Sequence, residues 1–184
     1  INMTGTESEP NARAKRYQAA IDMAAYADQH GFSSVNVEEH HLADNGWLPS
    51  PITMAAAIAG RTENVGIGIM ALLVSLYDPI RLAEDLAVLD LLSQGRLNFV
   101  AGMGYRDIEF HAMDKPYEER GAWMDHVLET LLAAWRDEPF EYRGQMINVT
   151  PKPFTQPHPN FLVGGMSKPA ARRAARLGLP FCPP

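Results

Sequence analysis

Cysteine is nearly absent: Cys182 is the one thiol in 184 residues. No intramolecular disulfide can form, and the composition suits a reducing compartment, which makes the cytoplasm the expected location. No apolar run approaches the roughly 18–20 residues that a membrane-spanning helix needs. Positive charge is sparse. Sixteen Lys and Arg against 22 Asp and Glu leave a net charge of −6, which argues against a nucleic-acid partner. The densest basic group, Lys168, Arg172, Arg173 and Arg176, has helical spacing and reads as a solvated helix face. His-x-His, His-Glu-x-x-His and paired His/Cys motifs are missing, so no ligand set for a metal stands out. Residues 1–13 are polar and lack the apolar centre of a signal peptide. Repeats and low-complexity tracts are missing too.

What is present is apolar content of 46%, enough for one domain with a real core. Strand and helix patterns alternate along it. Residues 12–29 pattern as a helix, with apolar Tyr17, Ile21, Ala24, Ala25 and Ala27 and a stop at Gly31. Residues 33–38 pattern as a strand, and Pro51 opens a helix over 52–61. An apolar run from Val65 to Ala71, extendable to Val74, predicts the next strand. Asp78-Pro79 is a helix start, a capping side chain followed by Pro in the first turn, and that helix runs to about Leu92. A strand over 96–103 follows. Met124, Val127, Leu128, Leu131, Leu132 and Trp135 repeat at i, i+3, i+4 and i+7, which predicts a long amphipathic helix. Residues 139–159 are Pro-rich, with a short hairpin expected around Gly144. A strand over 161–165, a helix over 169–177 and a strand starting at Phe181 complete the pattern. Such alternation predicts about five parallel strands covered by helices, either doubly wound or as part of a (β/α)8 barrel. A whole barrel takes about 250 residues, so only part of one is expected here.

Chemistry concentrates in Glu38-Glu39-His40-His41, where a strand gives way to a loop. Barrels keep their reactive groups at such strand ends, and carboxylates beside imidazoles offer acid, base or ligand roles near neutral pH. Adjacent residues of an extended segment face opposite ways, which disfavours one ion shared by both histidines. Packing of one His with solvation of the other, and a catalytic His with a carboxylate beside it, both stay open on these residues alone. Glycines recur at strand ends. Gly66 and Gly68 suit either close approach to the backbone or barrel packing, and 101–105 brings further small residues. Gly164-Gly165-Met166-Ser167 ends a strand just before a helix. Its amides and helix dipole suit a phosphate, and Ser167 suits an N-cap.

Taken together these residues resemble the bacterial luciferase-like monooxygenase superfamily, flavin- or deazaflavin-dependent enzymes on a (β/α)8 barrel. The likeness rests on Glu39-His40-His41, Val65-Gly66-Ile67-Gly68 and the block from Asp78-Pro79 to Ser93-Gln94-Gly95-Arg96. Gly102-x-Gly104-Tyr105-Arg106, Glu109-Phe110, Arg120, Trp135, Pro151-Lys152-Pro153, Pro157-His158-Pro159 and Val163-Gly164-Gly165 extend it. It implies a single partial barrel over 1–184, with about strands 2 to 6 present. By position it implies His40 as the catalytic residue and Glu39 tuning it electrostatically. Met70-Ala71 falls at a non-prolyl cis peptide behind the cofactor ring. Met103, Gly104 and Tyr105, with Gly164, Gly165, Met166 and Ser167, fall in cofactor-holding loops. Many relatives carry Arg where Met103 stands, so the phosphate interaction of that arginine is either missing here or taken over by Arg106.

The implied activity is oxidation of a small organic substrate with reduced FMN and O2, the FMN supplied by a flavin reductase, in a homodimer paired through helices such as 79–92. Hydride transfer with coenzyme F420 is the alternative. A non-catalytic flavin-binding relative and a metal-dependent barrel hydrolase are rival readings.

Overall fold

The C-terminal ends of four parallel strands meet at one edge of a sheet, and the register that puts them there is visible strand by strand. In the computed structural model, which describes residues 1–5 and 11–183, the elements run α1 (Ala12–Gln29), β1 (Ser34–Val37), α2 (Pro51–Ala59) and β2 (Gly66–Leu73). A 3-10 turn (Val74–Leu76), α3 (Pro79–Ser93), β3 (Leu97–Gly102), α4 (Asp107–Ala112) and α5 (Arg120–Ala134) follow. Then come β4 (Phe140–Tyr142), β5 (Gln145–Ile147), β6 (Asn160–Gly164), α6 (Lys168–Leu177) and β7 (Phe181–Cys182). Residues 6–10 of the polar N-terminal stretch, and Pro184, lie outside the described residues.

The main sheet has the order β1-β2-β3-β6-β7, with every pair parallel, and it is an unclosed arc of a barrel. β4 and β5 form the expected hairpin around Gly144 as a separate antiparallel pair. Asn36, Gly68, Asn98 and Asn160 fall in one register row. A Cβ on Gly68 would lie 1.9 Å from Asn36 Oδ1. The neighbour that requires glycine there is the adjacent strand's side chain, so this position belongs to barrel packing.

Helices cover the other face, α2 against α3 and α3 against α5. The Asp78-Pro79 start acts as its chemistry dictates: the Asp78 carboxylate accepts from Ile80 N at 3.0 Å and Arg81 N at 3.2 Å. Arg81 pairs with Asp85 one turn on, at 2.8 Å. Asp28, at the end of α1, accepts from the backbone amides of Glu63, Asn64 and Val65 at 2.6–3.0 Å and so fixes the turn into β2. Those bonds hold its carboxyl below the usual range. Arg96, the last residue of the Ser-x-Gly-Arg block, donates to Thr62 Oγ1, Thr62 O, Val65 O and Ala59 O, so it binds the end of α2 to the start of β3.

Two features depart from the sequence reading. The apolar run continues past β2 but turns into the 3-10 segment at Val74, and Trp123 Nε1 donates to Ser75 O there. α4 has only six residues, too few for a periodic signal, and is held by the buried Glu109 and Phe110.

Phe99 and Phe161 stack at 4.8 Å across β3 and β6, and Trp135 meets Phe161 edge-on while its Nε1 donates to Ala83 O. Phe99 is wholly buried. Phe99→Ala is expected to lower the unfolding free energy by about 3–5 kcal/mol, read from denaturant titration, with an unchanged denaturant slope.

Candidate active site

Parallel pairing brings the end of β1 beside the ends of β2, β3 and β6, and a cavity of about 800 Å³ opens there. Glu39 and His40 after β1 line it, as do Met70 and Ala71 in β2, Met103, Gly104 and Tyr105 after β3, and Gly164 to Ser167 after β6. His40 and Ser167 therefore open onto one space. The Met70–Ala71 peptide is cis. A register shift between β2 and β3 falls at the same place, between Met70 and Leu72.

Close packing requires glycine on the β6 side of this cavity. A Cβ on Gly164 would come within 2.6 Å of Val100 Cγ1. Gly165 has φ of 154°, a backbone conformation that side chains rarely adopt, and a Cβ there would come within 2.6 Å of Ala170 Cβ. Ser167 caps α6 with a long bond from Ala170 N, 3.4 Å, and also faces the cavity.

The two histidines have different surroundings. His40 stacks on Trp47 at 3.9 Å, and its backbone N–H donates to Leu48 O at 3.0 Å. His41 is buried, and its Nε2 lies 2.9 Å from Glu39 Oε1. Glu39, 2% exposed, also accepts from Leu73 N at 2.6 Å and Tyr77 Oη at 2.5 Å. Burial and the adjacent Glu39 carboxylate hold the Tyr77 phenol well above its ordinary range, so its hydroxyl remains a donor. The expected tuning of His40 by Glu39 is thus not the arrangement found: Glu39 pairs with His41 and ties the β1 loop to the β2 loop. Among the described residues, the carboxylate within ion-pair reach of His40 is Glu109, its Oε1 3.9 Å from Nδ1.

Arg106 also departs from expectation. Its guanidinium donates to His41 O at 2.7 Å and Glu109 Oε1 at 3.0 Å, and it borders a separate hollow with Leu42, Asp44 and Trp47. The arginines that do reach the main cavity are Arg120 and Arg173. Arg120 donates to Tyr117 O and lies over the Tyr117 ring at 4.1 Å. Arg173 corrects the solvated-face reading of its helix: it is 8% exposed and forks onto Asp125, with Nε–Oδ1 at 2.7 Å. Lys168, Arg172 and Arg176 are exposed as expected, and Arg176 reaches Asp125 and Glu129. No sequence signal separates Arg173 from its neighbours, because its acidic partner lies 48 residues away on another helix.

Among the described residues, no group of His, Cys, Asp and Glu is placed to hold a metal ion. None of the described helices is long and apolar enough to cross a membrane.

The family model for luciferase-like monooxygenases matches residues 2–183. The chain belongs to that family. It is similar to the alkanal monooxygenase beta chain of Vibrio harveyi, 29% identical over 171 residues, or 88% of this chain and 51% of that one. The oxygenase component of the flavin-dependent trigonelline monooxygenase of Acinetobacter baylyi is 24% identical over 159 residues, 83% of this chain and 44% of its own length. Among solved structures, the monooxygenase RslO1 from Streptomyces bottropensis superposes with a TM-score of 0.84 at 30% identity, over 98% of this chain and 56% of that one. The chain spans about half the length of the curated relatives it matches.

Asp125 carries a testable consequence. Burial pushes its carboxyl up, but the bonds and charges of Arg173 and Arg176 outweigh this and hold it below the usual range. A depressed carboxylate stabilises the fold above its unfolded-state pKa, and the contribution is lost as pH falls through the lower, folded-state value. Asp125→Asn should lower the melting temperature at pH 7 and flatten its fall between about pH 5 and pH 2, measured by calorimetry across that range.

Proposed function

We propose that the chain carries much of the active site of a flavin-dependent oxidoreductase that oxidises a small organic substrate with reduced FMN and O2. The observation that supports this most directly is the shared cavity, with an imidazole at one wall and a glycine-serine turn at the other. Its volume of about 800 Å³ lies within the usual span of ligand pockets, about 300–1,000 Å³. Met70, Ala71, Val100 and Met103 offer an apolar wall suited to a planar ring. Gly164 and Gly165 line the cavity at positions where a Cβ would collide with Val100 and Ala170, so the turn is held as bare backbone beside it. Ser167 at the start of α6 suits the phosphate, and Arg120, which has no carboxylate partner among the described residues, adds positive charge. Arg173 is neutralised by Asp125, so it frames this end of the cavity rather than charging it.

Bound reduced flavin supplies the electrons for oxygen activation; the protein supplies position, dryness and protons. His40 is the titratable group at the ring-facing wall, and it moves or holds a proton there. The apolar wall keeps water from the reacting region. The trigonelline relative is named as an oxygenase component, which supports a separate reductase as the source of reduced flavin. Exposed Val88, Leu91 and Leu92 on α3 form an apolar stripe that suits a homodimer. The single thiol fits a cytoplasmic location.

Thermal-shift titration of the intact protein with FMN and with F420 tests the cofactor assignment. FMN is expected to raise the melting temperature and F420 to leave it unchanged; the reverse order would favour the hydride-transfer alternative. His40→Ala should cost on the order of 10²–10⁴-fold in turnover while FMN still shifts the melt. Turnover within about threefold of the parent would remove His40 from catalysis, and binding without any turnover in the parent would favour the non-catalytic relative.

A further inference from the structure

Two neighbouring residues each leave a buried polar atom without a hydrogen-bond partner among the described residues: His40 at Nδ1 and Glu109 at Oε2. Glu109 is fully buried on α4. Its other oxygen, Oε1, is already fixed by the His41 amide at 2.9 Å and Arg106 Nη1 at 3.0 Å, and it lies 3.9 Å from His40 Nδ1. About 1 Å separates that approach from hydrogen-bond range. A buried donor or acceptor without a partner is costly, and a hydrogen bond from Nδ1–H to this carboxylate relieves that cost for the imidazole. Trp47 stacks on the face of the imidazole and so limits the plane the ring can take, and the His40 amide is bonded to Leu48 O.

We propose that Glu109 is a positioning residue for His40: it accepts Nδ1–H, fixes that tautomer, and leaves the Nε2 lone pair to the cavity. Resting on the catalytic reading of His40 given above, it names the device that makes the ring a proton acceptor on its cavity side. A carboxylate accepts and does not donate, so it selects one tautomer. The adjacent His41 is held the opposite way, its Nε2 on Glu39. One loop would then carry two imidazoles in opposite tautomers, each set by a different buried carboxylate.

The test is a two-bond proton–nitrogen correlation spectrum of the imidazoles in the intact protein, without cofactor, at neutral pH. The His40 signal is assigned by its loss in His40→Gln. The expected parent spectrum shows His40 protonated at Nδ1 and His41 at Nε2. Glu109→Gln, which keeps the size but places a donor in the pair, should shift His40 toward Nε2–H and leave His41 as it was. A His40 that carries its proton on Nε2 in the parent overturns the proposal, even if the variant does not fold. So does a variant spectrum in which His40 keeps its tautomer, or in which both histidines change together, since general loosening would do that. Absence of FMN binding or turnover in the parent would end the functional reading and leave the tautomer result intact.

Discussion

Two loops meet over the Glu39 carboxylate, which takes hydrogen bonds from the Leu73 amide, the Tyr77 hydroxyl and His41 Nε2, all within 2.9 Å. Each donor is buried or half-buried, and each would cost about 1–3 kcal/mol if left without an acceptor. Together they make this acceptor hard to replace. The end of β1 is thereby fixed to the end of β2, and the cis Met70–Ala71 peptide lies just before the anchored Leu73. His40 sits one residue beyond Glu39, so its position follows from that anchor. Trp47 and Leu48 then clamp it from the loop side.

The parts of the fold that are periodic or punctuated are legible in the sequence. α3 shows its start in Asp78-Pro79, β6 its end in the glycine pair, and α6 its start in Ser167. Each signal is local: a cap, a fixed φ, an apolar repeat. α4 is not legible, because six residues give less than two turns of pattern and its two buried side chains answer to distant neighbours. The same limit hides Arg173. Its helix has a polar face by sequence, and only the packing of α6 beside α5 turns one arginine of that face inward onto Asp125. Arg106 escapes for a related reason: Glu109 is a local partner three residues on, but the His41 carbonyl that turns the guanidinium away from the main cavity lies 65 residues back in the chain.

Glu39 is the more instructive departure, because the information is present in the chain. Side chains on an extended segment alternate, so residues two apart share a face while neighbours do not. That rule separates His40 from His41. Applied once more, it separates His40 from Glu39 and pairs Glu39 with His41, which is the bond found at 2.9 Å. Adjacency in sequence puts the carboxylate on the wrong side of the chain for His40. The cavity-facing imidazole has to find its carboxylate elsewhere, and the one within reach comes from α4, far along the chain.

The charges around the cavity follow from which of them are already answered. Arg173 is buried and forked onto Asp125, so taking either partner away would leave a poorly solvated charge, and the pair acts as structure. Arg106 is committed to Glu109 and a backbone carbonyl. Arg120 differs: it meets a carbonyl and a ring face, neither of which cancels a positive charge. Glu39 and Glu109 are drawn into internal bonds. Among the described residues, Glu38 and Glu118 line the cavity without one, and Arg120, with no acidic partner, lines the same cavity as the start of α6. That end joins the Arg120 guanidinium to the start of α6, and Met70, Ala71, Val100 and Met103 give the cavity an apolar wall. Its polar groups thus gather at the strand ends and the helix start, while the apolar wall lies between them, so anchoring and exclusion of water fall to different residues of one cavity.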